Sequence, residues 1–437
     1  MTKNAVMEDS HMKTLIKNGR VIDPATNTDK VMNLVIEDDK IADRFEGDKA
    51  VEADEVIDAE GMYVMPGFID LHVHLREPGF EHKEDIESGS KAAAKGGFTS
   101  VCCMPNTKPT TDSKEVVSYI VNKAKEVAPI NVLVVGAVTK GQAGQELADI
   151  EGMKEAGIVA ISEDGKSVMN ANLYREGMKE AARLGLPVLA HCEDITMVDG
   201  GVINAGAKAS ELGFRGITNA VEDVIVARDI LIAKETGARL HLCHCSTEDS
   251  VKMLAKAKEE GLPVTGEVCP HHFTLCEDDI KADDSNYKMN PPIRGKKDLE
   301  ALVKGIGDDV FDAIATDHAP HHADEKAKGI EKAPFGIVGS ETALALTMTE
   351  LVEKGVITPY QMAAKMSYNP AKILGIDKGS LEVSKVADIV IVDPDAEYEI
   401  DVNDFVSKGK NTPFNGYKVK GKVVRTICGG KTVYLAN

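Results

Sequence analysis

Between residues 66 and 370 the chain repeats one pattern: a short unbroken apolar run, then a longer stretch with apolar residues three and four apart. The runs occupy residues 67–75, 98–104, 131–138, 157–162, 186–191, 238–244, 262–268 and 311–316. Segments between them, such as DSKEVVSYIVNKAKEVA (112–128) and NLYREGMKEAARLG (172–185), have helical spacing and end near Gly or Pro. Continuous apolar strands alternating with helices predict a parallel sheet buried on both faces. Eight repeats in this length predict a (β/α)8 TIM-type barrel over residues 66–370. A doubly wound open sheet ranks below it, because no GxGxxG follows any of the runs.

The two ends of the chain read differently. MKTLIKNGRVID (12–23), MNLVIEDDKIADRF (32–45), ADIVIVDPD (387–395) and YKVKGKVVRTICGGKTVYL (417–435) show the alternation and turn residues of short antiparallel strands. Residues 12–65 and 371–437 are therefore expected to form one smaller composite domain, a β-sandwich; two independent β-caps are the alternative. Residues 1–11 have no pattern, and Ser10-His11-Met12 resembles a vector junction, so the natural chain is expected to begin at Met12.

Barrel active sites are built at the C-terminal ends of the strands. Here those ends carry polar groups. The first run delivers Asp70, His72, His74 and Arg76, the second leads into Met104-Pro105-Asn106, and the fourth into Glu163-Asp164. The fifth stops at His191, the sixth at His244, and the eighth opens into Thr316-Asp317 with His321 beyond. Strand alternation sends His72 and His74 to the same side. One strand-end histidine is usually solvated or core-satisfied; four histidines and two aspartates at equivalent places are not a coincidence of that kind. Nitrogen and oxygen donors suit zinc or another borderline divalent ion. His72, His74, Asp164, His191, His244 and Asp317 are enough for two ions with a bridging carboxylate. Paired ions of this kind serve hydrolysis of an amide or ester, and a carboxylate on the last strand can shuttle the proton. A thiolate zinc site from Cys243, Cys245, Cys269 and Cys276 is the rival. Alternation disfavours it, because an inward His244 would turn Cys243 and Cys245 outward. His271 and His272, after the seventh run, are further candidate ligands.

Composition narrows the partners. Lys+Arg 51 against Asp+Glu 71 leaves a net charge of −20, which disfavours nucleic acid. No apolar run approaches the roughly 18 residues of a membrane span, and no signal-peptide core is present. A soluble cytoplasmic protein without membrane contacts is expected. Eight cysteines without a CxxC pair read as reduced thiols.

Asp70-Leu-His72-Val-His74-Leu-Arg76 with Pro78, and Ala315-Thr-Asp317-His-Ala-Pro-His321 with Lys326, resemble the paired signatures of dihydroorotases. Met104-Pro-Asn106-Thr107 sharpens the likeness, which covers the chain from about Met12 and includes the split β-domain of the amidohydrolase superfamily. The resemblance implies reversible cyclisation of N-carbamoyl-L-aspartate to L-dihydroorotate, the third step of de novo pyrimidine synthesis. It implies one metal on His72, His74 and Asp317, a second on His191 and His244, and Asp164 bridging both, with Asp317 also the general acid/base. One or two zinc ions per subunit are expected, two being favoured. His74, Arg76, Asn106, Asn290 and His321 are implied to hold the substrate, with Phe335 and Gly336 meeting its ring. Arg supplies a planar fork for a carboxylate.

Many relatives bridge their metals with a carboxylated lysine on the fourth strand, and residues 157–162 contain none. Asp164 resembles the bridge of a bacterial aspartate subgroup, and Lys166 is a remote alternative. Other cyclic amidohydrolases (allantoinase, hydantoinase or dihydropyrimidinase) and a non-catalytic subunit of aspartate transcarbamoylase stay open. The first group has no need of a carboxylate pocket; the second typically loses ligands. A homodimer is expected, with association with aspartate transcarbamoylase as an open partner.

Overall fold

The alternating N-terminal residues pair as antiparallel strands β1 (Lys13–Asp23), β2 (Thr28–Glu37) and β3 (Lys40–Phe45), and β4 (Glu55–Asp58) and β5 (Tyr63–Pro66) join β1 in parallel. In this computed structural model residues 12–436 are described; the vector-junction expectation for residues 1–11 lies outside them.

After β5 the chain enters the barrel. Strands β6 (Phe68–Val73), β7 (Phe98–Cys103), β8 (Asn131–Ala137), β9 (Ile158–Ser162) and β10 (Val188–Ala190) follow one another in parallel. A small excursion holds the two-residue strands β11 (Ile203–Asn204) and β12 (Gly216–Ile217). Strands β13 (Leu240–Leu242), β14 (Val264–Val268) and β15 (Ala313–Ile314) complete the eight. The segment after β15 closes the circle: His318 bridges Val73 in parallel, and the His74 amide donates to the His318 carbonyl at 2.8 Å. Each sequence-predicted run supplies one barrel strand, shortened by one to four residues in all.

All six residues of β6 and of β7 are buried, as expected of strands covered on both faces. Ile69, Leu71, Cys102, Met104, Val135, Ala160, Leu189, Cys243, Ala313 and Ala315 fill the barrel interior, and Ala371 and Leu374 pack into the same cluster. The interior is therefore solid below the mouth. Helices between strands start and stop on local chemistry. Ser113 caps Lys114–Val127 by accepting from the Val116 amide, and Gly185 ends Ala171–Leu184 in the left-handed region.

The chain then returns to the first sheet. Strands β16 (Ile389–Glu399), β17 (Lys418–Cys428) and β18 (Lys431–Leu435) continue it antiparallel beyond β5, in the order β18-β17-β16-β5-β1-β2-β3 with β4 also on β1. Both chain ends thus share one continuous sheet, with a core including Ile16, Leu34, Ile36, Ile41, Val64, Ile389 and Ile427. This is the expected architecture, an α/β barrel with a smaller β-domain built from both ends. Among the described residues no helix is long and apolar enough to cross a membrane. All eight cysteines are unpaired.

Candidate metal centre

Register places the predicted strand-end groups around one point. Asp164, two residues past β9, is buried among four imidazoles. Its Oδ1 lies 3.1 Å from His72 Nε2, 3.6 Å from His191 Nδ1 and 3.8 Å from His244 Nε2, and its Oδ2 lies 3.4 Å from His74 Nε2. Asp317 Oδ1 approaches His74 Nε2 at 3.1 Å and His72 Nε2 at 3.5 Å. His191 Nδ1 and His244 Nε2 are 3.0 Å apart. The six predicted ligands are therefore together: Asp317 approaches His72 and His74, His191 approaches His244, and Asp164 lies within 3.8 Å of all four histidines. Lys166 is elsewhere: its Nζ donates to the Gln142 carbonyl at 3.1 Å.

The far nitrogens of His74 and His191 are held by partners outside the cluster, which turns the near ones toward Asp164. His74 Nδ1 donates to Asn106 Oδ1 at 2.9 Å, and His191 Nε2 donates to Glu193 Oε2 at 2.8 Å, tautomers assigned from these partners. His72 Nδ1 faces Glu267 Oε1 at 3.4 Å. Partners of this kind orient metal-ligating imidazoles. Both ring nitrogens of His72 and Oδ1 of Asp164 are buried without a well-aligned hydrogen bond. Unpaired buried polar atoms are costly, and a divalent cation between His72 Nε2 and Asp164 Oδ1 would satisfy those two, while His72 Nδ1 faces Glu267. The donor set fits zinc-type chemistry.

Electrostatics point the same way. Burial would discharge His72, but Asp164 and Asp317 outweigh it and raise its pKa well above the usual value. Burial would likewise protonate Asp164 and Asp317, yet His72 and its neighbours hold both carboxyls below the ordinary carboxylate range. The carboxylates are thus kept ionised, and they concentrate negative charge where a cation would sit.

Three of the residues here have left-handed backbone: Arg76 at φ 63°, His244 at φ 33° and Asp317 at φ 48°. The His244 twist corrects an expectation. On β13, Leu240 and Leu242 face the helices, while Cys243 belongs to the barrel interior near His72. His244 reaches the mouth because its backbone turns there, so Cys243 does not face outward as plain alternation required; Cys245 does. The rival thiolate site is not assembled. Among the described residues, clusters of three ligating groups with ligand atoms within 4.8 Å join Cys243 only to His72 and Glu267, and Cys269 only to His271 and His272.

A cavity of about 220 Å³ opens over this centre. Its walls include His74, Asp164, His191, His244 and Asp317 together with Arg76, Asn106, Asn290, His321, Phe335 and Gly336. His72 lies deeper, fully buried. Arg76 makes no ion pair among the described residues; its Nε donates to the Pro320 carbonyl at 3.1 Å and its Nη2 lies 3.2 Å from His321 Nε2. Burial lowers its pKa to about 10, so it stays charged near neutrality. Burial, then Arg76 and Lys83, push His321 down to about 2, keeping it neutral, and its Nε2 donates to the Phe335 carbonyl at 2.8 Å. Gly336 has φ 150°, and a Cβ there would meet the Ala319 carbonyl oxygen at 2.7 Å and His321 Nε2 at 2.9 Å. Only glycine fits that wall.

Sequence reasoning missed Glu267, Glu193, Lys83 and Asp70 as supports. Glu267 is fully buried, accepts from His241 Nε2 at 2.9 Å, and receives the His244 amide at 3.2 Å. Burial alone would raise its pKa, but His241 and His72 bring it down to about 2. An acid inside the apolar run LPVTGEV was the available signal. Asp70 accepts from the Thr316 hydroxyl at 2.6 Å and so ties the first strand to the last.

Comparison with known proteins adds to this geometry. The "Dihydro-orotase-like" family profile matches residues 61–250. The chain is 48% identical over 419 residues to the dihydroorotase of Acetivibrio thermocellus, covering 96% of this chain and 98% of that one. It is 49% identical over 423 residues to the dihydroorotase of Bacillus cereus, covering 97% and 98%. Among solved structures it resembles the L-hydantoinase (dihydropyrimidinase) of Arthrobacter aurescens, with a TM-score of 0.87 and 27% identity over 97% of this chain and 96% of the other.

Proposed function

This chain belongs to the dihydroorotase family and is an enzyme of that family, and from that premise we propose that it interconverts N-carbamoyl-L-aspartate and L-dihydroorotate in de novo pyrimidine (UMP) synthesis. His72, His74 and Asp317 would hold one ion, His191 and His244 a second, and Asp164 both; two zinc ions fit this set, and when bound they supply a more acidic water and polarise the ring amide.

The remaining work belongs to the protein. Asp317 stays ionised beside the imidazoles, so the carboxylate oxygen that would not hold the ion can accept a proton and return it to the leaving ring nitrogen, and the reverse during cyclisation. Arg76, with no carboxylate of its own, receives the substrate α-carboxylate as a planar fork, helped by Asn106, Asn290 and His321. His74 lines the same cavity, and Phe335 and Gly336 bring backbone groups to the ring. The enzyme would act in the cytoplasm as a homodimer on this small substrate, with aspartate transcarbamoylase as a candidate partner and the domains divided at residues 12–65 plus 371–437 and 66–370.

The observation that carries this reading is an unpaired guanidinium sharing one small cavity with a carboxylate ringed by four imidazoles. The hydantoinase-like shape favours a second reading, a hydrolase of uncharged cyclic amides. Assays on dihydroorotate, N-carbamoyl-L-aspartate, hydantoin and dihydrouracil separate the two. Turnover of the first pair well above the second is expected; preference for the uncharged rings would reverse the assignment.

A further inference from the structure

Lys326 ends the short helix Ala323–Lys326 and is only 6% exposed, yet it pairs with no carboxylate among the described residues. Its Nζ instead donates to three backbone carbonyls: Lys288 at 3.1 Å, Pro334 at 3.1 Å and Gly336 at 3.0 Å. Three acceptors match the three N–H groups of an ammonium. These carbonyls come from two separate segments. One leads to Asn290, the other contains Phe335 and Gly336, and all three residues wall the catalytic cavity. The Gly336 amide also donates to the Lys288 carbonyl at 3.0 Å, so the two segments meet at the lysine. The Lys288 ammonium sits 4.6 Å from the Phe335 ring centre on the same junction.

We propose that Lys326 is a positioning residue whose ammonium clamps the Asn290 and Phe335–Gly336 segments into one wall, setting substrate affinity without touching substrate. The proposal rests on the dihydroorotase reading of the cavity, since it concerns how that cavity keeps its shape. A neutral amine has only two N–H groups, so one of the three contacts would be lost. The Lys288 and Gly336 carbonyls also accept from the Gly336 amide and Asn411 Nδ2, respectively, whereas the Pro334 carbonyl has only Lys326 among the described residues. The titratable groups facing Lys326 are Lys288, which repels it, Asp284, which favours it, and His321, which is kept neutral; burial, then Lys288, bring its pKa down to about 7. The clamp is therefore complete on the acid side of that value and loses a donor as pH rises through it.

The experiment compares Lys326→Met and Lys326→Arg with the wild-type enzyme for metal content, melting temperature, and KM and kcat on dihydroorotate across pH. In the wild type, KM should rise as pH passes about 7. Lys326→Met should keep its metal, raise KM about tenfold or more while kcat stays within about threefold, and lose that rise with pH. Lys326→Arg, which retains charge and donors, should hold KM within about threefold of wild type. A wild-type KM in Lys326→Met, or a loss confined to kcat, overturns the clamp. If Lys326→Met does not fold, the wild-type profile and Lys326→Arg decide: a KM flat across that range, or an Arg variant as impaired in kcat as in KM, overturns it. Failure of the underlying reading looks different, because the wild type would then not turn over dihydroorotate at all.

Discussion

The barrel mouth and the sheet built from the chain ends both contain left-handed backbone, but they give it to different residues. In the end sheet the positions are Asn18 in the irregular stretch of β1, Asn27 after the first strand and Asp38 in the β2–β3 turn, at φ 64°, 52° and 54°. Short amide and carboxylate side chains adopt this conformation at little cost. At the mouth the positions are Arg76, His244 and Asp317, two of them bulky. Such residues carry roughly 1–3 kcal/mol of strain each and persist where the surroundings hold them. In the end sheet the twist merely makes a bulge at Asn18 and turns the chain at Asn27 and Asp38. At the mouth it aims side chains into the cavity, and stability is given up for position.

The sharpest way to break this contrast is at Asp317, whose left-handed backbone aims a chemically engaged carboxylate. Asp317→Asn should reduce initial rates in both directions by about 10³-fold or more; appreciable turnover would leave its conformation without a functional reason. Asp164→Ala should lose mainly the ion assigned to His191 and His244, with activity falling by about 10²-fold or more, while Lys166→Ala keeps wild-type metal content by elemental analysis. Bicarbonate should not stimulate reconstitution. Arg76→Met should cost roughly 2–5 kcal/mol in kcat/KM on dihydroorotate and far less on dihydrouracil. Equal losses on both would make Arg76 a structural residue.

The smallest effect tests strain itself. After chelation, His244→Gly should be more stable than His244→Ala by about 1 kcal/mol in denaturant unfolding, because glycine accepts the left-handed backbone and alanine does not. Asn27→Gly should stay within about 0.5 kcal/mol of wild type. A large loss at Asn27, or an alanine variant at 244 as stable as the glycine one, would erase the difference between the two regions.

Much of the site was legible in the chain because barrel strands end in a predictable place. His72 and His74 share a side by alternation, and Asp164, His191, His244 and Asp317 follow apolar runs that end at the same level. The end sheet was legible from period-two alternation alone. What escaped depends on facts outside any one strand. Cys243 and His244 both face inward because φ turns positive at His244, which alternation does not foresee. Glu267 and Glu193 serve His241, His72 and His191 through cross-strand register and a loop, so each looked like an isolated acid. Lys326 belonged to a recognisable motif, but its three carbonyl partners lie in segments brought together only by the fold.

The central claim is that Asp164 joins two ions held by strand-end histidines. Its most direct test is a crystal structure of the zinc-loaded enzyme with anomalous scattering measured across the zinc edge. The account predicts two anomalous peaks, one about 2.0–2.2 Å from His72, His74 and Asp317 donors, the other at similar range from His191 and His244, with an Asp164 oxygen on each. A carboxylated lysine between the peaks, or an Asp164 carboxylate bound to neither, would contradict it.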